Sequence, residues 1–143
     1  MEPLDPEFVP ESGLAREEME AQQRAIASEA DFSDRLDFEP RDISLAGADQ
    51  EQSTLTDDSP EQQPIIAGVD QAFLDDRAIS AIVALRGGEV IERTHAVTEL
   101  SIPYIPGLLA FREGQSIVAA FETLDCEPDL AVFDGSGRIH YRQ

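Results

Sequence analysis

Apolar positions along this chain follow two rhythms, and the change between them divides it. In residues 14–30, Leu14, Met19, Ile26 and Ala30 recur at near-helical spacing among Glu, Gln and Arg, which predicts an amphipathic helix. Residues 37–63 lose that period. They are polar, broken by Pro40, Gly47, Ser53 and Pro60, and read as a solvated linker or loop. From Pro64 the period shortens. Ile65-Ile66-Ala67-Gly68-Val69-Asp70, rich in β-branched residues after a proline, predicts a strand, and residues 78–86 predict a second. Gly87-Gly88 signals a two-residue hairpin, after which residues 89–100 return as a third strand with alternating polar positions. An antiparallel meander is the economical arrangement.

Ile102-Pro103-Tyr104-Ile105-Pro106-Gly107 then excludes regular structure, because each proline removes a donor and fixes its own φ. A helix is expected next, with Ile117, Val118, Phe121 and Leu124 on one face and Gly114 marking a break near its start. Leu130-Ala131-Val132-Phe133 is a continuous apolar run, the pattern of a buried parallel strand, and it leads into a glycine turn at Asp134-Gly135-Ser136-Gly137. The fold class is therefore α/β: three antiparallel strands, a helix and a parallel strand in one mixed sheet.

Composition narrows the picture. A length of 143 residues suits about one domain. The division falls between an acidic helix and linker in residues 1–63 and the sheet-forming residues 64–143. No stretch of 18 apolar residues exists to span a membrane, and no basic flank and apolar run mark a secretory signal. The single cysteine, Cys126, excludes an internal disulfide framework and a clustered-cysteine zinc site. The expected location is cytoplasmic, with no membrane partner.

Thirty acids oppose ten bases, every base is arginine, and the net charge is -20. Such a surface repels phosphate backbones in dilute buffer. Acid-rich, lysine-free surfaces also suit a cytoplasm with molar salt, where screening lengths shrink to about 3 Å. Because the acid runs along the whole chain, the charge reports a halophilic habitat more than a partner.

Three carboxylates stand at suggestive places: Asp70 late in the first strand, Glu113 beside the helix start and Asp134 at the end of the last strand. Sites in open sheets gather where loops leave strand ends. Converging carboxylates need cations to stay ionised, and hard oxygen donors suit Mg²⁺ or Mn²⁺, ions that activate water and stabilise a displaced phosphate ester. Each residue also has a plain structural reading: an aspartate before glycine serves a turn, and Glu113 beside Arg112 forms a solvated pair. Asp134 with His140 makes a weaker metal pair. A phosphate-cradling loop ending in Gly-Lys is impossible without lysine, and Cys126 between Asp125 and Glu127 lacks the basic setting that activates a thiolate.

Four blocks together carry a resemblance: Ile66-Ala67-Gly68-Val69-Asp70; Pro103-Tyr104-Ile105-Pro106-Gly107; Phe111-Arg112-Glu113; and Pro128-Asp129-Leu130 leading to Asp134-Gly135-x-Gly137-x-x-His140. In this order and at these separations they resemble endonuclease V, and residues 14–39 resemble that family's leading helix more loosely. The resemblance implies a ribonuclease H-like fold and Mg²⁺-dependent nicking of DNA at the second phosphodiester bond 3′ of deoxyinosine, some members preferring inosine in RNA. It further implies that Asp70 and Asp134 hold the metal, that Glu113 is the third acidic catalytic residue, and that Tyr104 is the wedge entering the duplex at the damaged base. Pro103 and Ile105 flank the wedge, Gly107, Gly135 and Gly137 permit close approach to the flipped base, and Arg112 and His140 contact phosphate.

The sequence ends where that family is about half finished. The expectation is a fragment, or a piece needing the missing C-terminal half, with its last strand left at a raw edge and poor folding alone. The alternative function is a non-catalytic remnant that binds inosine-containing nucleic acid without cutting it.

Overall fold

The computed structural model describes residues 1–43, apart from Glu2, Leu4, Ser12 and Asp34, and residues 63–134. A short 3-10 turn at Pro6–Phe8 precedes the first helix, α1 (Arg16–Glu29). The periodic residues 14–30 therefore do form a helix; Ala15 begins it, its amide donating to the Glu18 carboxylate at 2.7 Å.

The meander follows as β1 (Ile65–Leu74), β2 (Arg77–Arg86) and β3 (Glu89–Glu99), each antiparallel to the one before. Gly87 and Gly88 make the β2–β3 turn with φ of 60° and 79°, the left-handed pair that a two-residue hairpin requires. The first strand is longer than its sequence pattern suggests. It continues past Asp70 because β2 keeps pairing with it down to Leu74 and Arg77.

The second helix, α2 (Leu109–Glu122), returns the chain so that β4 (Leu130–Phe133) lies parallel to β1, and the sheet order is β3-β2-β1-β4. The helix runs through Gly114 without a break. Glycine is needed there for space: a Cβ on Gly114 would stand 2.5 Å from the Cγ of Pro10, so the N-terminal segment lies directly on the helix. Gln115 Nε2 donates to the Pro10 carbonyl at 3.3 Å in the same contact.

Among the described residues, two clusters make the core. One joins Ala67, Val69 and Ile82 of the sheet to Ala120 and to Leu124 just beyond α2, with Phe121, Ala96, Cys126 and Ala131 packed around them. The other joins Met19 of α1 to Ile102, Leu108 and Phe111, with Leu14 and Ile105 alongside. The helix face expected from Ile117, Val118, Phe121 and Leu124 is met in part: Leu124 is buried and Phe121 packs on the same cluster, while Ile117 and Val118 are half-buried and Phe111, Ser116 and Ala120 are the buried positions within α2.

The strand β4 is parallel, as expected, and exposed on its outer side. It pairs with β1 on one side, and Val132 and Phe133 remain 54% and 46% exposed, so its apolar run does not mean burial on both faces. Phe133 meets Phe121 of α2 with ring centroids 6.1 Å apart, while Val132 faces away from the helix. The turn leading into β4 is anchored to β3 by Glu92, whose Oε1 and Oε2 accept from the amides of Asp125 (2.9 Å) and Cys126 (3.0 Å).

Candidate active site

Strand register relates two of the three carboxylates, Asp70 and Asp134. β1 and β4 pair Ile66 with Leu130 through Val69 with Phe133, so Asp134, the residue after β4, follows at the offset that matches Asp70 of β1. Parallel neighbours in a sheet lie about 4.8 Å apart. The register is closed at its other end by a reciprocal clasp. The Ile65 amide donates to Asp129 Oδ2 at 2.8 Å, and the Asp129 amide donates to the Ile65 carbonyl at 2.9 Å.

Asp70 is exposed, and its Oδ1 accepts from the amide of Gln71 at 2.8 Å. Alternation along β1 buries Ala67 and Val69 under α2 and therefore turns Asp70 to the other face. Glu113 lies on α2, half-buried. Burial, with the negative charge of Asp134 adding to it, holds its carboxyl above the usual carboxylate range. The charge of Asp134 at the end of β4 thus reaches Glu113 on α2, as a smaller effect than burial. Among the described residues, no three His, Cys, Asp or Glu side chains converge closely enough to hold a metal ion together.

As chemistry, the donor set fits a hard divalent cation. It is all carboxylate oxygen, the donor type such an ion takes, and Glu113 is raised by burial first and by the charge of Asp134 second.

Beside Glu113, the guanidinium of Arg112 lies 4.8 Å from the ring centroid of Phe73 near the end of β1. Its Nε is buried without a hydrogen-bond partner among the described residues. The aromatic contact fixes the arginine against the strand that carries Asp70.

The Pro-Tyr-Ile-Pro-Gly block forms a loop between β3 and α2 whose two ends, Ile102 and Leu108, are buried. Ile105 packs against the same cluster, whereas Tyr104 is 64% exposed and Pro103 is exposed beside it. The Leu108 amide donates to the Ile105 carbonyl at 3.0 Å, and Gly107 at the third position of that turn has φ of 84°. Proline followed by left-handed glycine is the requirement of a type II turn. The loop therefore drives its apolar residues inward and holds one aromatic ring out in solvent.

Gly135, Gly137 and His140 lie outside the described residues. Sequence reasoning did not find Gln23, Phe73, Ser80, Glu92 and Ser116. Phe73 lay past the assumed strand end, and the serines and Glu92 looked like ordinary surface residues. Asp129 had a visible signal, an aspartate between Pro128 and an apolar strand.

Comparison with known proteins agrees with this architecture. Residues 49–143 match the family model described as Endonuclease V. The endonuclease V of Haloarcula marismortui is 54% identical over 145 residues, covering 99% of this chain and 54% of that protein. The chain spans about half the length of the curated relatives it matches. The crystal structure of endonuclease V from Bacillus subtilis superposes with a TM-score of 0.67 at 26% identity, over 94% of this chain and 50% of that one. A Ciona intestinalis endonuclease V, solved with a 24mer DNA containing an inosine followed by a ribo-adenosine, gives a TM-score of 0.50 at 26% identity, over 60% and 40% of the two chains. The mixed sheet is thus of the ribonuclease H-like type, and the chain belongs to the endonuclease V family.

Proposed function

We propose that this chain carries the metal-holding and lesion-reading half of a DNA repair endonuclease that nicks DNA at the second phosphodiester bond 3′ of deoxyinosine. The observation that carries the reading is the parallel register of β1 and β4, which brings the strand ends bearing Asp70 and Asp134 side by side, with half-buried Glu113 on α2 feeling the charge of Asp134. Asp70 and Asp134 would hold Mg²⁺ or Mn²⁺, with Glu113 as the third acid. Such an ion, when bound, supplies activated water and neutralises charge on the leaving phosphate oxygen.

The chain's own residues do the rest. Exposed Tyr104, on a loop stiffened by Pro103 and Pro106, supplies an aromatic face to stack where a flipped base has left. Arg112, held by Phe73, offers positive charge close to the carboxylates, where a phosphate needs it on an otherwise acidic surface. DNA with inosine is the ligand of the Ciona relative, and inosine-containing DNA is the substrate class proposed here. The acid excess and the similarity to a Haloarcula protein support action in concentrated salt.

The test is nicking of an end-labelled duplex with one deoxyinosine, with Mg²⁺ in ~2 M KCl to screen the acids, beside an unmodified duplex and Asp134→Ala. A nick 3′ of inosine, absent in the variant, is the expected result. A folded sample that binds the inosine duplex without nicking it would replace the nuclease reading with that of a non-catalytic binding module.

A further inference from the structure

The loop that carries Tyr104 is gripped from a distant part of the chain. Gln23, part-buried on α1, donates its Nε2 hydrogen to the carbonyl of Gly107 at 2.9 Å, across 84 residues of sequence. The turn's internal hydrogen bond uses the Ile105 carbonyl, so the Gly107 carbonyl must find a partner elsewhere. Gln23 supplies it. One helical turn earlier, Met19 is buried against Ile102, Leu108 and Phe111, so positions i and i+4 of α1 touch the same loop, one through apolar contact and one through a directed bond. Apolar burial is non-directional and tolerates small rotations of the loop; the bond to Gly107 does not.

We propose that Gln23 is a positioning residue. Its amide holds the Pro103–Gly107 loop in one shape and so sets the angle at which Tyr104 projects. The benefit to lesion reading rests on the function proposed above, whereas the restraint on the loop stands without it. The adjacent Gln22 provides an internal contrast, since its Nε2 donates at 2.6 Å to the carbonyl of Glu7 in the N-terminal segment, away from the loop.

The chain has two tyrosines and no tryptophan, so Tyr141→Phe in the full chain leaves Tyr104 as the one emitter for tyrosine fluorescence anisotropy. In that background Gln23→Met keeps the side chain's length and removes the donor, Gln23→Glu keeps its shape and removes the donor, and Gln22→Met serves as the control. Each variant is checked for folding by circular dichroism. The expected result is lower Tyr104 anisotropy in folded Gln23→Met and Gln23→Glu, wild-type anisotropy in Gln22→Met, and binding to the inosine duplex weakened by about two- to tenfold for the Gln23 variants alone, the range one hydrogen bond carries. Wild-type anisotropy in a folded Gln23 variant overturns the proposal, as does an equal drop in Gln22→Met. A wild-type chain that ignores inosine would sink the nuclease reading and leave the anisotropy comparison intact, because that comparison uses no DNA.

Discussion

Ser80 of β2 donates its hydroxyl hydrogen to Ser116 of α2 across 2.7 Å, and both side chains are fully buried. The direction follows from proton bookkeeping. Ser116 has one hydrogen, which goes to the Glu113 carbonyl at 2.9 Å, so Ser80 must be the donor in the pair. This short chain connects the sheet to the backbone of the helix turn carrying the Glu113 carboxyl. Ser116→Ala strands the Ser80 hydroxyl in the core and is expected to destabilise the fold by about 1–3 kcal/mol. Adding Ser80→Ala should recover part of that loss, and urea unfolding of the two single variants and the double variant measures it.

Glu92 governs how the turn before β4 responds to acid. The backbone amides of Asp125 and Cys126 bind its carboxylate and hold its pKa below the ordinary value of 4.5. A depressed carboxylate adds stability above its unfolded pKa, and that contribution is lost as pH falls through the folded one. Thermal melts of the wild type and Glu92→Gln should therefore differ most near neutral pH, the variant melting lower, and converge in acid. A constant gap across the series would show that the carboxylate's charge is not the cause.

Pro10 and Gly114 should behave as a coupled pair. An alanine in a helix is ordinarily worth about 1 kcal/mol over glycine, yet at position 114 its Cβ would sit 2.5 Å from Pro10 Cγ and 3.2 Å from Cδ. Gly114→Ala is expected to lift the N-terminal segment from α2, seen as faster proteolysis before Ser12. Pro10→Ala removes both clashing atoms and leaves a Cβ contact of 3.5 Å, so the double variant should regain protection.

Tyr104 separates recognition from folding. The ring is 64% exposed, so Tyr104→Ala should change stability by no more than about 0.5 kcal/mol. Loss of a stacking platform should weaken binding to an inosine duplex by about fivefold or more, the scale of one base–aromatic contact. Equal affinity of variant and wild type for that duplex would remove Tyr104 from the reading mechanism.

What the sequence made legible was local. Gly87-Gly88 announced its turn because two successive left-handed residues exclude almost everything else, and Leu130–Phe133 announced a strand because β-branched and aromatic runs pack on a pleated surface. What stayed hidden depended on partners. The apolar run of β4 marked the parallel strand, but a run of this kind does not say how many neighbours the strand acquires. Ser116 looked like a surface residue because its burial depends on a hydroxyl 36 positions away. Of the proposed site, the positions of the acids at strand and helix ends were readable from the pattern, whereas Tyr104 was singled out only by the resemblance. Their supports, Phe73 under Arg112 and Gln23 on the loop, could not, because aromatic and amide side chains serve as props or as surface with equal ease.

The parallel seating of β4 beside β1 has a consequence in time. The meander closes through two-residue turns, so its three strands can zip within the earliest folding events. The clasp between Ile65 and Asp129 must instead close 64 residues of chain, helix included. Asp134 is therefore delivered to Glu113 and Asp70 by a late docking step. A nascent chain still short of that strand carries Asp70 and Glu113 without Asp134 beside them.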